Sequence, residues 1–134
     1  MADLRVGVVG LGVGRAHLRS WSTVEGASVV AVADVDEERR RAVEQEWGVA
    51  VVDSLDALLA ARVDVVDLCT PPSMHEAQIE RCQQVGVCVG HVGAPCHWLR
   101  HLPSRRILSR ATRRQWLAPC RQGVRNKDKQ GESR

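Results

Sequence analysis

Five short apolar runs, rich in valine and alanine, are separated by longer stretches in which apolar positions recur with helical spacing. The runs cover residues 4–9, 27–33, 49–52, 63–68 and 87–89. Near-continuous apolar runs of this length are typical of parallel strands that are covered on both faces. The stretches between them predict helices over residues 13–21, 37–47, 55–61 and 74–85, with Asp36, Ser54 and Ser73 as N-caps.

The alternation of strand and helix predicts an α/β fold, an incomplete doubly wound parallel sheet with right-handed crossovers. We expect the strand order 3-2-1-4, with a frayed fifth strand at the edge. The alternation ends near residue 90. We therefore assign residues 1–90 to a folded domain and residues 91–134 to a basic, poorly ordered tail that is not a folded domain.

A glycine cluster stands between the first predicted strand and the first predicted helix, where a phosphate-binding turn must lie. It consists of Gly10, Leu11, Gly12, Val13 and Gly14. The first glycine permits a tight turn, the second lets the backbone approach a pyrophosphate, and the helix N-terminus favours negative charge. The third glycine comes one residue earlier than usual, with Arg15 in its place. The cluster indicates a Rossmann half-domain, and a plain strand–helix turn is the alternative.

An acidic residue, Asp34, ends the second predicted strand. A carboxylate at this point can accept hydrogen bonds from both hydroxyls of an adenosine ribose. It would also repel a 2′-phosphate, so the sequence predicts NAD as the cofactor in preference to NADP. The alternative is a strand-end or capping acid. Arg39, Arg40 and Arg41 follow, and we expect them on the solvated face of the second helix.

Three segments of the chain carry a family resemblance. They are Gly-Leu-Gly-Val-Gly-Arg-Ala-His from Gly10, Val-Ala-Val-Ala before Asp34, and Asp-Leu-Cys-Thr-Pro-Pro-Ser-Met-His ending at His75. Together they resemble the glucose-fructose oxidoreductase / inositol dehydrogenase / MocA-like family over residues 4–85. The resemblance implies an N-terminal NAD(P)-binding Rossmann domain and an NAD(P)-dependent oxidoreductase that acts on a sugar or polyol carbon.

The same resemblance implies further residues of the dinucleotide site. Thr70 and Pro71 would line it beside the ribose and nicotinamide, and His75 would begin the next helix close by. A Pro-Pro turn at the carboxyl end of a parallel strand is rigid, and ligands bind at that edge of an open sheet. His75 could instead be an ordinary residue of the first helical turn. We expect His17 to have a structural role in packing the first helix.

The family pattern fails after the fifth predicted strand. Members of the family resemble one another in a Glu-Lys-Pro segment there, whose Lys is taken to serve in proton transfer, and a second domain follows. This chain has Gly-His-Val-Gly-Ala-Pro from Gly90 instead, and we expect no second domain after it. We expect truncation or a frameshift after about residue 85, assign no catalytic residue, and predict a dinucleotide-binding fragment without turnover.

Charge is divided unevenly along the chain. Residues 1–89 hold eight Arg against fourteen acidic residues, a balance of −6, whereas residues 90–134 have a balance of +9. The alternative function is thus a small binding module whose Arg-rich tail contacts nucleic-acid phosphates. We disfavour it because aromatic side chains near that stretch are limited to Trp98 and Trp116. The tail's His and Cys residues have no regular metal-ligand spacing, so no metal site is assigned.

The remaining sequence features concern location and assembly. No apolar run approaches the roughly 18 residues of a membrane-spanning helix. Five Cys without regular spacing disfavour a disulfide framework, and Cys69 and Cys82 are expected as buried thiols. A cytoplasmic protein is the expectation. The uncovered surface of an incomplete sheet predicts self-association.

Overall fold

The computed structural model describes residues 3–91, which form a five-stranded sheet with four helices. In chain order the elements are β1 (Leu4–Val9), α1 (Gly14–Trp21), β2 (Ala27–Ala33), α2 (Glu37–Trp47), β3 (Ala50–Val52), α3 (Leu55–Ala60), β4 (Val65–Leu68), α4 (Pro72–Gln84) and β5 (Cys88–His91). All neighbouring strands are parallel, in the order β3-β2-β1-β4-β5. The predicted α/β class and the order of the first four strands are confirmed, while the prediction for the tail lies outside the described residues.

The fifth strand is not frayed at its pairing with β4. Four residues of β5 pair with four of β4, from Val65 with Cys88 to Leu68 with His91. The Cys88 N–H also donates to the Asp64 carbonyl at 3.3 Å. The prediction of a frayed strand is therefore wrong, because the apolar run 87–89 is short but its backbone is fully registered with its neighbour.

Helix boundaries differ from the predicted ones mainly at α4. The helix begins at Pro72, two residues before the predicted start, so Ser73 lies inside the first turn and does not cap it. Proline suits this first position because its missing N–H would have no partner there. Two predicted caps are confirmed: Asp36 accepts from the Arg39 N–H at 3.1 Å, and Ser54 accepts from the Ala57 N–H at 3.3 Å.

The core is split between the two faces of the sheet. On one face α1 and α2 bury Leu18, Trp21 and Val43 against the strands. On the other, α3 and α4 bury Leu58 and Cys82. This two-sided cover explains why β1 and β4 are apolar at nearly every position. Both Cys82 and Cys69 are buried free thiols, as predicted, and burial raises the pKa of Cys82 to about 11.

Candidate functional site

A cleft of about 850 Å³ lies at the carboxyl ends of the central strands. The loops after β1, β2, β3 and β4 all contribute to its walls. Seven of the nine predicted site residues line it: Gly10, Gly12, Val13, Asp34, Thr70, Pro71 and His75. The other two are buried: Leu11 belongs to the turn itself, and Gly14 is the first residue of α1. The structure therefore brings seven of the predicted residues to one cleft, and the other two do not line it.

The turn between β1 and α1 depends on the backbone of Gly10. Its φ is +90°, and a Cβ at this residue would lie 2.8 Å from the Cys69 carbonyl oxygen. The Gly10 N–H donates to the Ala33 carbonyl at 2.8 Å, which ties the turn to β2. Only glycine combines this conformation with so close an approach to β4.

Gly14 explains the unusual glycine spacing. A Cβ on Gly14 would lie 3.0 Å from Val8 Cγ1, so a side chain there would push α1 away from β1. Close helix–strand packing is the task of the third glycine in the usual fingerprint. Gly14 performs this task one residue early, and Arg15 is thereby free to point outward, where it pairs with Glu46 at 2.6 Å.

The first turn of α1 faces the cleft without a capping side chain. Val13 occupies the N-cap position and makes no side-chain hydrogen bond to the helix. A helix N-terminus in this state has N–H groups and a partial positive charge to offer an anion. A Cβ built at Gly12 would meet no atom closer than Arg39 Nη1, at 3.6 Å, so the turn leaves room for a ligand there.

The Asp34 side chain connects the turn after β1 with the segment after β2 through two hydrogen bonds. Its Oδ2 accepts from the Leu11 N–H at 2.7 Å, and its Oδ1 accepts from the Asp36 N–H at 2.8 Å. The side chain is buried although it lines the cleft. A carboxylate offers about four lone-pair sites, so each oxygen can accept a further hydrogen bond. Asp34 therefore braces the turn, as the alternative interpretation held, and still presents a carboxylate to the cleft.

Of the three arginines after Asp34, Arg39 and Arg41 are exposed as predicted, whereas Arg40 is half-buried, so the prediction of a solvated face is wrong for Arg40. Arg40 donates from Nη1 to the carbonyls of Asp34 and Val35, at 2.7 and 3.0 Å. Arg39 lines the cleft, with Nη1 3.8 Å from Asp34 Oδ2. Arg41 alone pairs along the outer surface, with Glu37. Helical spacing from the cap Asp36 was the available signal, because residues three and four positions later share its face.

The turn after β4 is held by two side chains of α4. The Thr70 hydroxyl donates to Gln78 Oε1 at 2.5 Å, and His75 Nε2 lies 2.7 Å from the Thr70 carbonyl oxygen. Because a carbonyl can only accept, His75 Nε2 must carry the proton. His75 is buried and lines the cleft. Gln78 also lines the cleft, although the sequence analysis did not identify it. His75 and Gln78 are three residues apart and therefore share one face of α4, and this spacing is the sequence signal that could have identified Gln78.

Exposed apolar side chains are concentrated at the rim of the cleft. Within residues 3–91, the large apolar side chains that are exposed are Val13, Val35, Met74 and Val85, and the first three line the cleft. A concave site with an apolar rim and a few convergent polar groups is the usual form of a small-molecule site. The rim therefore suits the flat rings of a nucleotide.

The buried carboxylate of Asp67, in β4, accepts hydrogen bonds from two side chains of α1. Its Oδ2 accepts from Trp21 Nε1 at 2.9 Å and from His17 Nδ1 at 2.7 Å, which ties α1 to β4. The Cys69 thiol donates to Asp67 Oδ1 at 3.6 Å, and burial together with this charge raises the pKa of Cys69 strongly. The expected structural role of His17 thus has a geometric basis. These hydrogen bonds account for the proximity of His17, Asp67 and Cys69, and a high thiol pKa opposes the thiolate that a metal would need.

The parallel sheet, the glycine turn and the carboxylate after β2 define a dinucleotide-binding Rossmann domain. A family model described as "Oxidoreductase family, NAD-binding Rossmann fold", that of the GFO/IDH/MocA proteins, matches residues 4–92. The chain belongs to this family, and the resemblance found in the sequence is confirmed.

Relatives of known activity share this part of the chain. Inositol 2-dehydrogenase 1 of Saccharopolyspora erythraea is 46% identical over 88 residues, which are 62% of this chain and 26% of that protein. D-apiose dehydrogenase of Paraburkholderia graminis is 37% identical over 75 residues, which are 54% of this chain and 20% of that protein. The chain therefore spans about a quarter of the length of the curated relatives it matches.

A solved structure has the same fold. Scyllo-inositol dehydrogenase of Lactobacillus casei, crystallised with NAD(H) and scyllo-inositol, superposes with a TM-score of 0.63 at 28% identity. The match covers 66% of this chain and 27% of that one.

In the part of the chain that the structure describes, no helix has the length and apolar character to cross a membrane.

Proposed function

We propose that this chain binds NAD in the cleft at the carboxyl ends of β1, β2 and β4, as the dinucleotide-binding part of a polyol or sugar dehydrogenase. The observation that carries the proposal is the junction of the glycine turn with Asp34. The Leu11 N–H bond to Asp34 fixes the phosphate-binding turn and the ribose-binding carboxylate in one rigid unit. Both parts face the same cleft as Thr70 and Pro71.

The pyrophosphate fits at the uncapped N-terminus of α1. The backbone at Gly12 is open on the cleft side, so a phosphate can approach the N–H groups of the turn. Val13, Val35 and Met74 then provide apolar contact for the rings at either end of the dinucleotide. Leu11 and Gly14 contribute through the shape of the turn. Thr70, Pro71 and His75 form the opposite wall.

The proposed preference for NAD over NADP follows from Asp34. Two backbone hydrogen bonds hold its carboxylate in place, so it cannot turn away from a 2′-phosphate that carries up to about two negative charges. Arg39 is the opposing influence, because its guanidinium lies near the same carboxylate. However, Arg39 is also 3.7 Å from Asp36 and about half exposed, so its charge is shared and screened by solvent.

We propose binding without turnover for the 134-residue chain. Hydride transfer requires a substrate held against the nicotinamide with a proton acceptor in reach. The sequence names no residue for either task. No observation within residues 3–91 favours the alternative of a nucleic-acid-binding module, since its Arg-rich stretch lies outside them.

Calorimetric titration of the intact chain with NAD tests the proposal. Gly12→Val should abolish detectable binding, because the added isopropyl side chain would occupy the space left for the pyrophosphate. Ala50→Val is the control: it creates the same valine side chain at an exposed position at the amino end of β3, and its affinity should equal that of the unaltered chain. Failure of the folded, unaltered chain to bind NAD would refute the proposal, as would unchanged binding by Gly12→Val.

A further inference from the structure

Gln78 is a polar residue of the cleft wall that the family signature did not point to. It lies in the middle of α4, half-buried, and its amide faces the turn after β4. Its contact there is the Thr70 hydroxyl, with 2.5 Å between Thr70 Oγ1 and Gln78 Oε1. The two side chains belong to different elements, so this hydrogen bond ties the turn to the helix.

The distance decides which group is the donor. Hydroxyl-to-oxygen hydrogen bonds span about 2.5–3.0 Å, whereas amide nitrogen-to-oxygen bonds begin near about 2.7 Å. At 2.5 Å the amide oxygen, and not the amide nitrogen, faces the hydroxyl. An amide oxygen can only accept, so the hydroxyl proton of Thr70 is the one that is shared.

The hydrogen bond to Gln78 fixes the direction in which the Thr70 hydroxyl points its proton. A threonine hydroxyl has one proton and two lone pairs, and here the proton points at Gln78. The carbonyl of the same residue is held by His75 at 2.7 Å, so neither polar group of Thr70 is left to rotate freely. The hydroxyl of this residue can therefore present only lone pairs to a ligand in the cleft.

We propose that Gln78 is a positioning residue that makes the Thr70 hydroxyl a fixed hydrogen-bond acceptor for a donor group of the dinucleotide. The donor is a ribose hydroxyl or the carboxamide N–H₂ of the nicotinamide. This inference rests on the proposed function, because it assumes that a dinucleotide occupies the cleft. Gln78 itself acts through Thr70 and needs no contact with the ligand.

A double-mutant cycle on the intact chain tests the coupling. Thr70→Val removes the acceptor, and Gln78→Met keeps the length of the side chain but removes its oxygen. Each should raise the Kd for NAD by about three- to tenfold, the loss expected for one hydrogen bond. In the Thr70→Val background, Gln78→Met should have no further effect, because there is no hydroxyl left to orient. Gln78→Glu, whose carboxylate still accepts, should remain within about twofold of the unaltered chain.

The outcomes separate this inference from the proposed function. If the unaltered chain does not bind NAD, both fail. If it binds NAD and the two single changes leave Kd unaltered, or their effects multiply in the double variant, the positioning role alone is overturned. A thermal unfolding measurement of each variant excludes loss of the fold as the cause, because a rise in Kd at an unchanged unfolding temperature cannot come from unfolding.

The same cycle with ADP-ribose, which lacks the nicotinamide, identifies the donor. If the coupling between Thr70 and Gln78 persists with ADP-ribose, the donor is a ribose hydroxyl. If coupling is present with NAD and lost with ADP-ribose, the donor is the carboxamide. Either result supports a fixed acceptor at Thr70. Absence of coupling with both ligands overturns it.

Discussion

At the scale of single residues, Asp34 has two tasks that the sequence could not separate. Its position after an apolar run predicted a ribose acceptor, with a strand-end acid as the alternative. The structure gives it backbone partners on both sides, Leu11 and Asp36, while it still lines the cleft. Asp36 is a local partner, but Leu11 belongs to a loop distant in sequence, so no local pattern around Asp34 could reveal the bond to Leu11.

Asp34→Asn should shift the cofactor preference. Removing the negative charge weakens NAD binding and lessens the repulsion of a 2′-phosphate, so the ratio of Kd for NADP to Kd for NAD should fall by at least about tenfold, the effect of about 1.4 kcal/mol. Calorimetric titration of one preparation with both dinucleotides measures this ratio, in which any partial loss of fold cancels.

Asp56→Asn is the matched control for that change. Asp56 pairs with Arg81 at 2.6 Å, is exposed, and is not among the residues that line the cleft. The ratio should stay as it is in the unaltered chain. An equal fall in both variants would show that overall charge, and not the carboxylate of Asp34, sets the preference.

At the scale of elements, the turn between β1 and α1 is fixed by its approach to β4. The sequence predicted a tight turn at Gly10 from its place in the fingerprint. It could not predict that the carbonyl of Cys69 closes the space around it, because that contact joins residues from different strands. The same limit applied to Gly14, whose early position was explained only by its packing on Val8.

Gly10→Ala should destabilise the domain more than Gly48→Ala does. Both glycines have positive φ, which costs an alanine about 1–2 kcal/mol. At Gly48 a Cβ meets nothing within 4 Å, so the backbone cost is the whole effect. At Gly10 a Cβ lies 2.8 Å from backbone oxygen, and relief of that clash requires β1 and β4 to move apart. We expect an additional loss of about 1–3 kcal/mol in the free energy of unfolding.

Urea unfolding of the two variants, followed by far-ultraviolet circular dichroism, measures the difference. Equal midpoints for the two variants would contradict a close approach between the turn and β4. A lower midpoint for Gly48→Ala would do so as well.

The elements themselves were largely predictable, and the errors have a common cause. Strands β1, β2 and β4 are covered on both faces, so their apolar runs were unmistakable. The start of α4 was misplaced because Ser73 is a good capping residue in isolation, whereas Pro72 suits the first helical position better. A frayed fifth strand was predicted because the apolar run of residues 87–89 is short. The length of an apolar run does not reveal how many backbone residues pair with β4.

At the scale of the whole molecule, the described residues form the NAD-binding Rossmann fold of an oxidoreductase family. The strand order β3-β2-β1-β4-β5 places the cleft at the point where the chain crosses from one side of β1 to the other. Open α/β sheets bind ligands at this point. The sheet topology supports the proposed location of the dinucleotide, while the proposed preference for NAD over NADP rests on Asp34 alone.

Self-association stays a prediction at this scale. Within residues 3–91 the outer edge of β5 has no neighbouring strand, and its other edge pairs with β4. Unpaired strand edges are sites of further pairing.

The measurement that tests the central claim most directly is an NMR titration of the intact, ¹⁵N-labelled chain with NAD. We predict saturable shifts for the amide signals of the Gly10–Gly14 turn and of the residues beside Asp34 and Thr70, because these backbone groups line or support the cleft. Signals at the amino ends of the strands, such as that of Arg5, should stay in place. Absence of shifts at high NAD concentration, or shifts confined to residues 92–134, would contradict the proposed site.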